Sequence, residues 1–184
     1  MPKALRAAAL LLALGSACKT AEPTDAAVTA KAQAALQPYK ASLKGELTKA
    51  LEESPERAVD VCAKRAPELA RAASGPGVTV GRSAIRRRSP ANAPRPWLAP
   101  VMDELARAPS GSAASKVVAL PNGGRGYAEA IWLAPQCVTC HGSTVAPPVA
   151  SAIAARYPDD HATGFAPGDF RGVFWAELEP SALR

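Results

Sequence analysis

Cys137, Cys140 and His141 are the residues of this chain whose types and spacing most clearly predict a chemistry. Two cysteines separated by two residues and followed at once by a histidine match the attachment site of a c-type haem. In such a site each thiol forms a thioether with one vinyl group of the porphyrin, and the adjacent imidazole binds the iron. The motif therefore predicts one covalently attached haem c, with His141 as the proximal ligand.

Two other uses of such a motif are a zinc site and a redox dithiol. A zinc site would need further cysteines or histidines at close spacing, and apart from the N-terminal Cys18 only Cys62 and His161 remain. A thioredoxin-like dithiol would begin a helix that follows a strand in a βαβ pattern, and the sequence around Cys137 has no such pattern. The haem site is therefore the interpretation that the motif favours.

The N-terminus predicts export, which a c-type haem requires because its attachment takes place outside the cytoplasm. Lys3 and Arg6 accompany an apolar stretch over residues 7–14 that is too short to span a bilayer. The segment Leu14–Cys18 then resembles the lipobox of bacterial lipoproteins, although Gly15 stands where an aliphatic residue is usual. The segment therefore predicts a lipoprotein signal.

The lipobox resemblance sets the expected organisation of the chain. Residues 1–17 would be removed as a signal peptide, and acyl chains on Cys18 would hold the protein on a bacterial membrane, in the periplasm or at the cell surface. Residues 18–30 would form a tether, and residues 31–184 a single haem-binding domain. The alternative is a secreted protein that carries no lipid.

Charge and composition argue against some partners. The full chain has a formal charge of +6, and loss of Lys3 and Arg6 with the signal peptide would lower that charge by two. With aromatic residues at 5% and no binding motif, an exported chain of this modest basicity is not expected to bind nucleic acid. Its positive charge is compatible with anionic groups such as the propionates of haem.

Hydrophobic periodicity predicts an α+β fold. Apolar residues recur at steps of three and four over residues 28–51, which indicates a long helix that Pro38 is expected to kink. Ser54 and Pro55 are typical of a new helix start, and Pro67 is expected to interrupt that helix. Helices first and an antiparallel sheet later predict an N-terminal helical layer packed on the sheet. The remaining predicted elements are helices over 97–107 and 148–157 and strands over 78–82, 116–120, 127–133 and 170–178.

The residues alone leave the second axial ligand of the iron open. Cys62, Met102 and His161 are the conventional candidates, and an open distal position is the further alternative. A single unpaired cysteine is unusual in an oxidising compartment, and thiolate ligation of the iron would explain the presence of Cys62. The alternative is that Cys62 is a small apolar residue on the buried face of a helix. The alternative role of Met102 is packing in the core, and the alternative for His161 is a solvated position in a loop.

Several motifs occur in order between residues 50 and 179. They are Ala58-Val59-Asp60-Val61-Cys62, Ala66-Pro67, Val80-Gly81-Arg82-Ser83, Arg88-Ser89-Pro90-Ala91-Asn92, Trp97, Trp132-Leu133-Ala134-Pro135, Cys137-Val138-Thr139-Cys140-His141-Gly142, Tyr157-Pro158-Asp159-Asp160, Ala162-Thr163-Gly164-Phe165 and Gly168-Asp169-Phe170-Arg171-Gly172. Together they resemble a family of exported single-haem domains, once catalogued as a domain of unknown function and later described as PAS-like haem sensors with Cys/His ligation.

This resemblance implies which residue is the second axial ligand, a question that the residues alone leave open. It implies His141 and Cys62 as the two axial ligands, and it implies a PAS-like fold. The chain departs from the family's pattern at Ser89, Leu98 and Phe165. The first two departures concern the loop near the haem edge, and none concerns the ligands.

Arg82 is the best candidate among the arginines for a contact with the haem. A guanidinium suits bidentate binding of a carboxylate such as a propionate, and Arg82 adjoins a predicted strand. The basic run over residues 86–88 is a second feature of this kind, and at least two of its members are expected to be solvated. The predicted cofactor-binding residues are therefore Cys137, Cys140, His141 and Arg82.

A Cys/His ligand pair would decide what the iron does. A thiolate stabilises ferric over ferrous iron and predicts a low potential, and two filled axial positions argue against an enzyme. We expect a redox or gas sensor, in which reduction or a small ligand such as nitric oxide or carbon monoxide releases Cys62 and moves its helix. A separate partner protein would receive the signal. The alternative is a low-potential electron-transfer cytochrome.

Overall fold

The computed structural model describes residues 22–184, and within them it confirms the predicted α+β class, with N-terminal helices packed on a four-stranded antiparallel sheet. The predicted signal peptide and Cys18 lie outside the described residues. None of the described helices is long and apolar enough to cross a membrane. The helices are α1 (Asp25–Glu53), α2 (Pro55–Asp60), α3 (Ala66–Ala73), α4 (Leu98–Leu105), α5 (Val138–His141) and α6 (Pro147–Arg156), and the strands are β1 (Val78–Ser83), β2 (Ser115–Ala119), β3 (Arg125–Trp132) and β4 (Phe170–Leu178).

Helix α1 packs along the sheet with one apolar stripe. The Thr24 side chain caps its first turn by accepting a hydrogen bond from the Ala27 amide, and the helix continues through Pro38 to Glu53. The predicted stripe is confirmed as far as Leu43, because the residues at steps of three and four are buried there, whereas Leu47 and Leu51 are half-buried. The buried residues of α1 are Val28, Ala32, Leu36, Tyr39, Leu43 and Ala50.

The turn that follows α2 is wider than an α-helical turn. Ser54 caps α2 and Pro55 stands in its first turn, as predicted. A π-helical segment, Val61–Arg65, then joins α2 to α3. The helix is not interrupted at Pro67, contrary to the sequence prediction, because the wider π turn before it accommodates a residue that lacks an N–H and crowds the preceding turn. Such turns occur frequently at functional sites, and this one contains Cys62.

The sheet has the strand order β1-β4-β3-β2, with every neighbouring pair antiparallel. Successive side chains of a strand point to opposite faces. Tyr127 and Ala176 accordingly pack under α1, whereas their neighbours Ala128 and Trp175 face α4. The sheet is thus covered by a helix on each face. The PAS-like arrangement that the family resemblance implies stays a prediction.

An irregularity at the start of β4 places Arg171 outside this alternation. Ile131 pairs with Gly172 but Trp132 pairs with Phe170, so Arg171 is the extra residue of a β-bulge. Bulges often redirect a side chain beside a functional site.

Replacing Gly172 with alanine tests whether the bulge requires glycine. Gly172 has φ +143°, and a Cβ there would lie 2.2 Å from the carbonyl oxygen of Ser83 on β1. We expect Gly172→Ala to lower the free energy of unfolding by about 1–3 kcal/mol, measured by urea denaturation. Gly45→Ala is the matched control: a Cβ at the exposed Gly45 of α1 meets no atom within 4 Å, so alanine should raise that free energy by about 0.5–1 kcal/mol. A Gly172→Ala protein as stable as the parent would contradict the constraint.

Candidate functional site

The Cys-x-x-Cys-His motif lies on a single helical turn shortly after β3. A 3₁₀ turn, Pro135–Cys137, leads into α5, and Gly142 ends that helix. Cys137, Cys140 and His141 stand at positions i, i+3 and i+4. Residues with this spacing share one face of a helical turn, so the two thiols and the imidazole are presented together.

Apolar clusters hold this turn from two sides. Cys137 packs against one cluster and Cys140 against another. The first cluster consists of Leu133, Ala162 and Phe165, and the second of Val59, Val149, Ile153 and Tyr157. The second cluster joins α2 to α6, so the helix that precedes Cys62 packs directly against the motif.

The imidazole of His141 has one nitrogen committed and one free for a metal. Its Nδ1 lies 2.6 Å from the carbonyl oxygen of Ala162. Because a carbonyl can only accept, Nδ1 carries the proton, and Nε2 is the unprotonated nitrogen that can bind a metal. Burial lowers the pKa of His141 to about 3, and the positive charges of Arg171 and Arg88 contribute to the shift. The ring is therefore neutral near pH 7.

A buried arginine holds the loop that contacts His141. Arg88 is 6% exposed, and its Nε donates to the Asp160 carboxylate at 3.1 Å. Its Nη2 donates to the carbonyl oxygens of Cys140 at 2.6 Å and Ala162 at 3.3 Å. The Asp160 carboxylate also accepts from the Ala162 amide at 2.8 Å. Arg88 thus ties the motif to the very carbonyl that orients His141, a role that the sequence analysis did not assign.

Cys62 lies near the motif although it is distant in sequence. It follows α2, which packs on α6 and contacts α5. Burial raises the pKa of the Cys137 and Cys140 thiols, and the charge of a Cys62 thiolate contributes to both shifts. All three thiols are free rather than in disulfides. The site therefore combines one neutral imidazole with three free thiols.

Two further arginines give the site a positive charge. Nη2 of Arg82 lies 3.5 Å from the Cys62 carbonyl oxygen, and the bulge residue Arg171 donates to the Arg86 carbonyl oxygen at 3.1 Å. Burial and repulsion from neighbouring arginines lower the pKa of Arg171 to about 10. Among the described residues, no carboxylate lies within salt-bridge distance of Arg82 or Arg171. These two guanidiniums can therefore receive an anionic ligand.

Sequence reasoning singled out Arg82 and missed Arg88 and Arg171. Both missed residues belong to motifs on which the family resemblance rests. Their place in those motifs was the one feature of the sequence that could have indicated a role at the site. Nothing in the local pattern of residues 86–88 distinguishes the buried Arg88 from its exposed neighbour Arg86.

The other candidate axial ligands lie in different surroundings. Met102 is 1% exposed and packs with Leu98 and Trp175 in the cluster beneath α4. His161 is exposed, and its amide donates to the Arg87 carbonyl oxygen at 3.0 Å. These placements match core packing for Met102 and a loop role for His161. Within residues 22–184, no three His, Cys, Asp or Glu side chains converge closely enough to hold a metal ion by themselves.

Comparison with known proteins gives the family. The model of the Tll0287-like family (Tll0287) matches residues 19–178. The chain belongs to this family. Its structure is also similar to the crystal structure of the cyanobacterial heme-protein Tll0287, with a TM-score of 0.52 and 26% sequence identity over 64% of this chain and 69% of that one. Among curated proteins, none matches the chain.

Replacing Arg88 with methionine should destabilise this Tll0287-like domain strongly. The change leaves the Asp160 carboxylate and two carbonyl oxygens without their donor, and breaking a buried ion pair in this way costs about 3–5 kcal/mol. Urea denaturation measures the loss. Arg87→Met is the matched control, since no hydrogen bond of the Arg87 side chain occurs in the described structure, and it should change stability by less than about 1 kcal/mol. Similar small effects for both variants would contradict the role of Arg88.

Proposed function

We propose that this protein carries one covalently bound haem c, attached through Cys137 and Cys140 and ligated by His141 and Cys62. The observation that carries the proposal is the hydrogen bond of His141 Nδ1 to the Ala162 carbonyl oxygen. It leaves Nε2 free beside two attachment thiols, which is what a proximal haem ligand requires. Similarity to a cyanobacterial heme-protein supports this class of cofactor.

The donor set fits a haem in its chemistry. The thiols are free to form thioethers, and burial keeps the imidazole neutral, as iron ligation requires. Arg82 and Arg171 supply positive charge where the cofactor would bring two propionate carboxylates. Arg82 is the arginine that the sequence predicts for this contact, and Arg171 joins it in the proposal. The bound haem would supply one-electron redox chemistry and a site for diatomic ligands.

With Cys62 as the second ligand, the protein is suited to sensing rather than to catalysis. A thiolate stabilises ferric iron and gives a low potential. With His141 and Cys62 both bound, the iron would have no free position for a substrate, so we do not propose an enzyme. Cys62 belongs to the π turn between α2 and α3, and its displacement would reach both helices. Such a two-state element is what a redox or gas sensor requires.

The proposed setting is a bacterial membrane, outside the cytoplasm. Residues 1–17 would act as a signal peptide, and acyl chains on Cys18 would anchor the mature protein in the periplasm or at the cell surface. The haem-binding domain would begin with α1 at Asp25 rather than at residue 31, because Val28 of that helix is buried in the core. Its signal would pass to a separate partner protein, and nucleic acid is not proposed as a partner.

Protein produced in a host with haem-maturation machinery should be coloured and heavier by one haem. Absorption spectroscopy and intact mass spectrometry check this expectation. Cys62→Ala should abolish the ferric thiolate spectrum and leave the haem mass in place, because the thioethers at Cys137 and Cys140 remain. A ferric spectrum unchanged by Cys62→Ala would remove Cys62 from the coordination sphere.

The same mass spectra should show acyl chains on Cys18, and a mature N-terminus beyond Cys18 would contradict the anchor.

Two further variants control this experiment. Replacing both Cys137 and Cys140 with serine should abolish covalent attachment of the haem. Thr139→Ala changes an exposed residue on the same turn and should leave colour and mass as in the parent. Covalent haem in the double serine variant would disprove the attachment site.

Carbon monoxide distinguishes a sensor from an electron carrier. In a sensor, reduction would free Cys62, and carbon monoxide would then shift the absorption bands of the reduced protein. An electron-transfer cytochrome keeps both axial ligands and ignores the gas. Difference spectra of the reduced protein with and without carbon monoxide make the measurement. Cys62→Ala, which has lost the displaceable ligand, should bind the gas in either case, and a parent protein that does not respond would favour the electron carrier.

A further inference from the structure

Cys62 has a carbonyl oxygen that its own helix leaves without a donor. In the π segment the Ala66 amide donates to the Val61 carbonyl. The residue next in line for the Cys62 carbonyl is Pro67, which has no N–H. A carbonyl that loses contact with water and has no donor costs free energy. The guanidinium of Arg82 fills this place, with Nη2 at 3.5 Å from the oxygen.

The strand pattern explains why Arg82 reaches this turn. Side chains along β1 alternate between the faces of the sheet, and Val80 packs in the cluster under α1. Arg82, two residues on, therefore leaves the sheet on the same face. Helix α3 packs on β1, which brings the π turn over the end of the strand. Tyr39 of α1 lies there as well. Burial raises the pKa of the Tyr39 hydroxyl, the positive charge of Arg82 lowers it, and the charge of a Cys62 thiolate raises it.

We propose that Arg82 is a positioning residue for Cys62, holding the π turn by its carbonyl and placing a fixed positive charge beside the sulfur. The inference rests on the proposed function. It changes the main partner proposed for Arg82 from the haem carboxylates to the sulfur ligand. A guanidinium at this place would attract electron density on the sulfur and weaken its donation to iron. Burial lowers the pKa of Arg82, but the charge of a Cys62 thiolate raises it, and the pKa lies above its usual value.

Arg171 offers a matched comparison. It carries the same charge in the same site. After burial, Arg171 is the largest influence on the pKa of His141, and its hydrogen bond goes to the Arg86 carbonyl oxygen rather than to Cys62. The structure pairs neither Arg82 nor Arg171 with a carboxylate of the described residues, so replacing either one leaves no carboxylate of this chain without its partner.

A double-mutant cycle on the haem-loaded protein tests the proposal. Arg82→Met and Arg171→Met are each made with Cys62 present and in the Cys62→Ala variant, and reduction potentials are measured by spectroelectrochemical titration. We expect Arg82→Met to lower the potential when Cys62 is present, and to shift it by less than about half as much in Cys62→Ala. The shift caused by Arg171→Met should depend less on Cys62, because Arg171 donates to the Arg86 carbonyl oxygen and not to Cys62. Resonance Raman spectra should show a larger change of the Fe–S stretching frequency in Arg82→Met than in Arg171→Met.

Other results would contradict the proposed role of Arg82 or the proposed ligation by Cys62. Equal potential shifts for Arg82→Met in both backgrounds, with an unchanged Fe–S frequency, would assign Arg82 to the haem carboxylates instead. A Cys62→Ala protein with the parent's ferric spectrum would end the proposed ligation and the role of Arg82 with it. If Arg82→Met does not fold, Arg82→Gln replaces it, because glutamine keeps an N–H donor but removes the charge. A glutamine variant with the parent's Fe–S frequency and potential would overturn the proposal.

Discussion

The hydrogen bond between His141 Nδ1 and the Ala162 carbonyl is the interaction on which the rest of the site depends. It decides which ring nitrogen carries the proton and which way the other one points. Ala162 belongs to a loop without regular structure, so its carbonyl needs an external support. The buried Arg88, paired with Asp160, provides this support and also holds the Cys140 carbonyl. The orientation of His141 therefore rests on one buried ion pair.

The two proposed iron ligands are held in different ways. The His141 turn lies between apolar clusters and is tied down by Arg88. Cys62 lies in a π turn that Pro67 deprives of a backbone hydrogen bond, and a long contact from Arg82 replaces it. Segments with fewer strong contacts open at lower free energy. In the proposed sensor this asymmetry makes Cys62 the ligand that moves and His141 the ligand that stays.

Electrostatics of the site favour an anionic occupant. Arg88 is compensated by Asp160, whereas Arg82 and Arg171 are not paired with a carboxylate within the described residues. Burial, together with the positive charges of Arg82 and Arg88, lowers the pKa of Arg171, as expected where like charges lie close together. A thiolate and two carboxylates at the same place would relieve that repulsion. Binding of the proposed haem would then stabilise the fold, because a ligand that binds the folded state alone adds its binding free energy to stability.

The sequence by itself determined the features that depend on local spacing. The run Cys137–His141 predicts its chemistry through the positions i, i+3 and i+4, and periodicity located the helices and strands because burial on one face repeats along each element. The tertiary structure decided what these elements bring together: Cys62 beside the motif, Arg88 under its loop, and Arg171 turned inward by a bulge. Even Pro67, predicted to interrupt a helix, is accommodated by a π turn. Such contacts join residues far apart in the chain, and a local pattern states which face is buried but not which partner buries it.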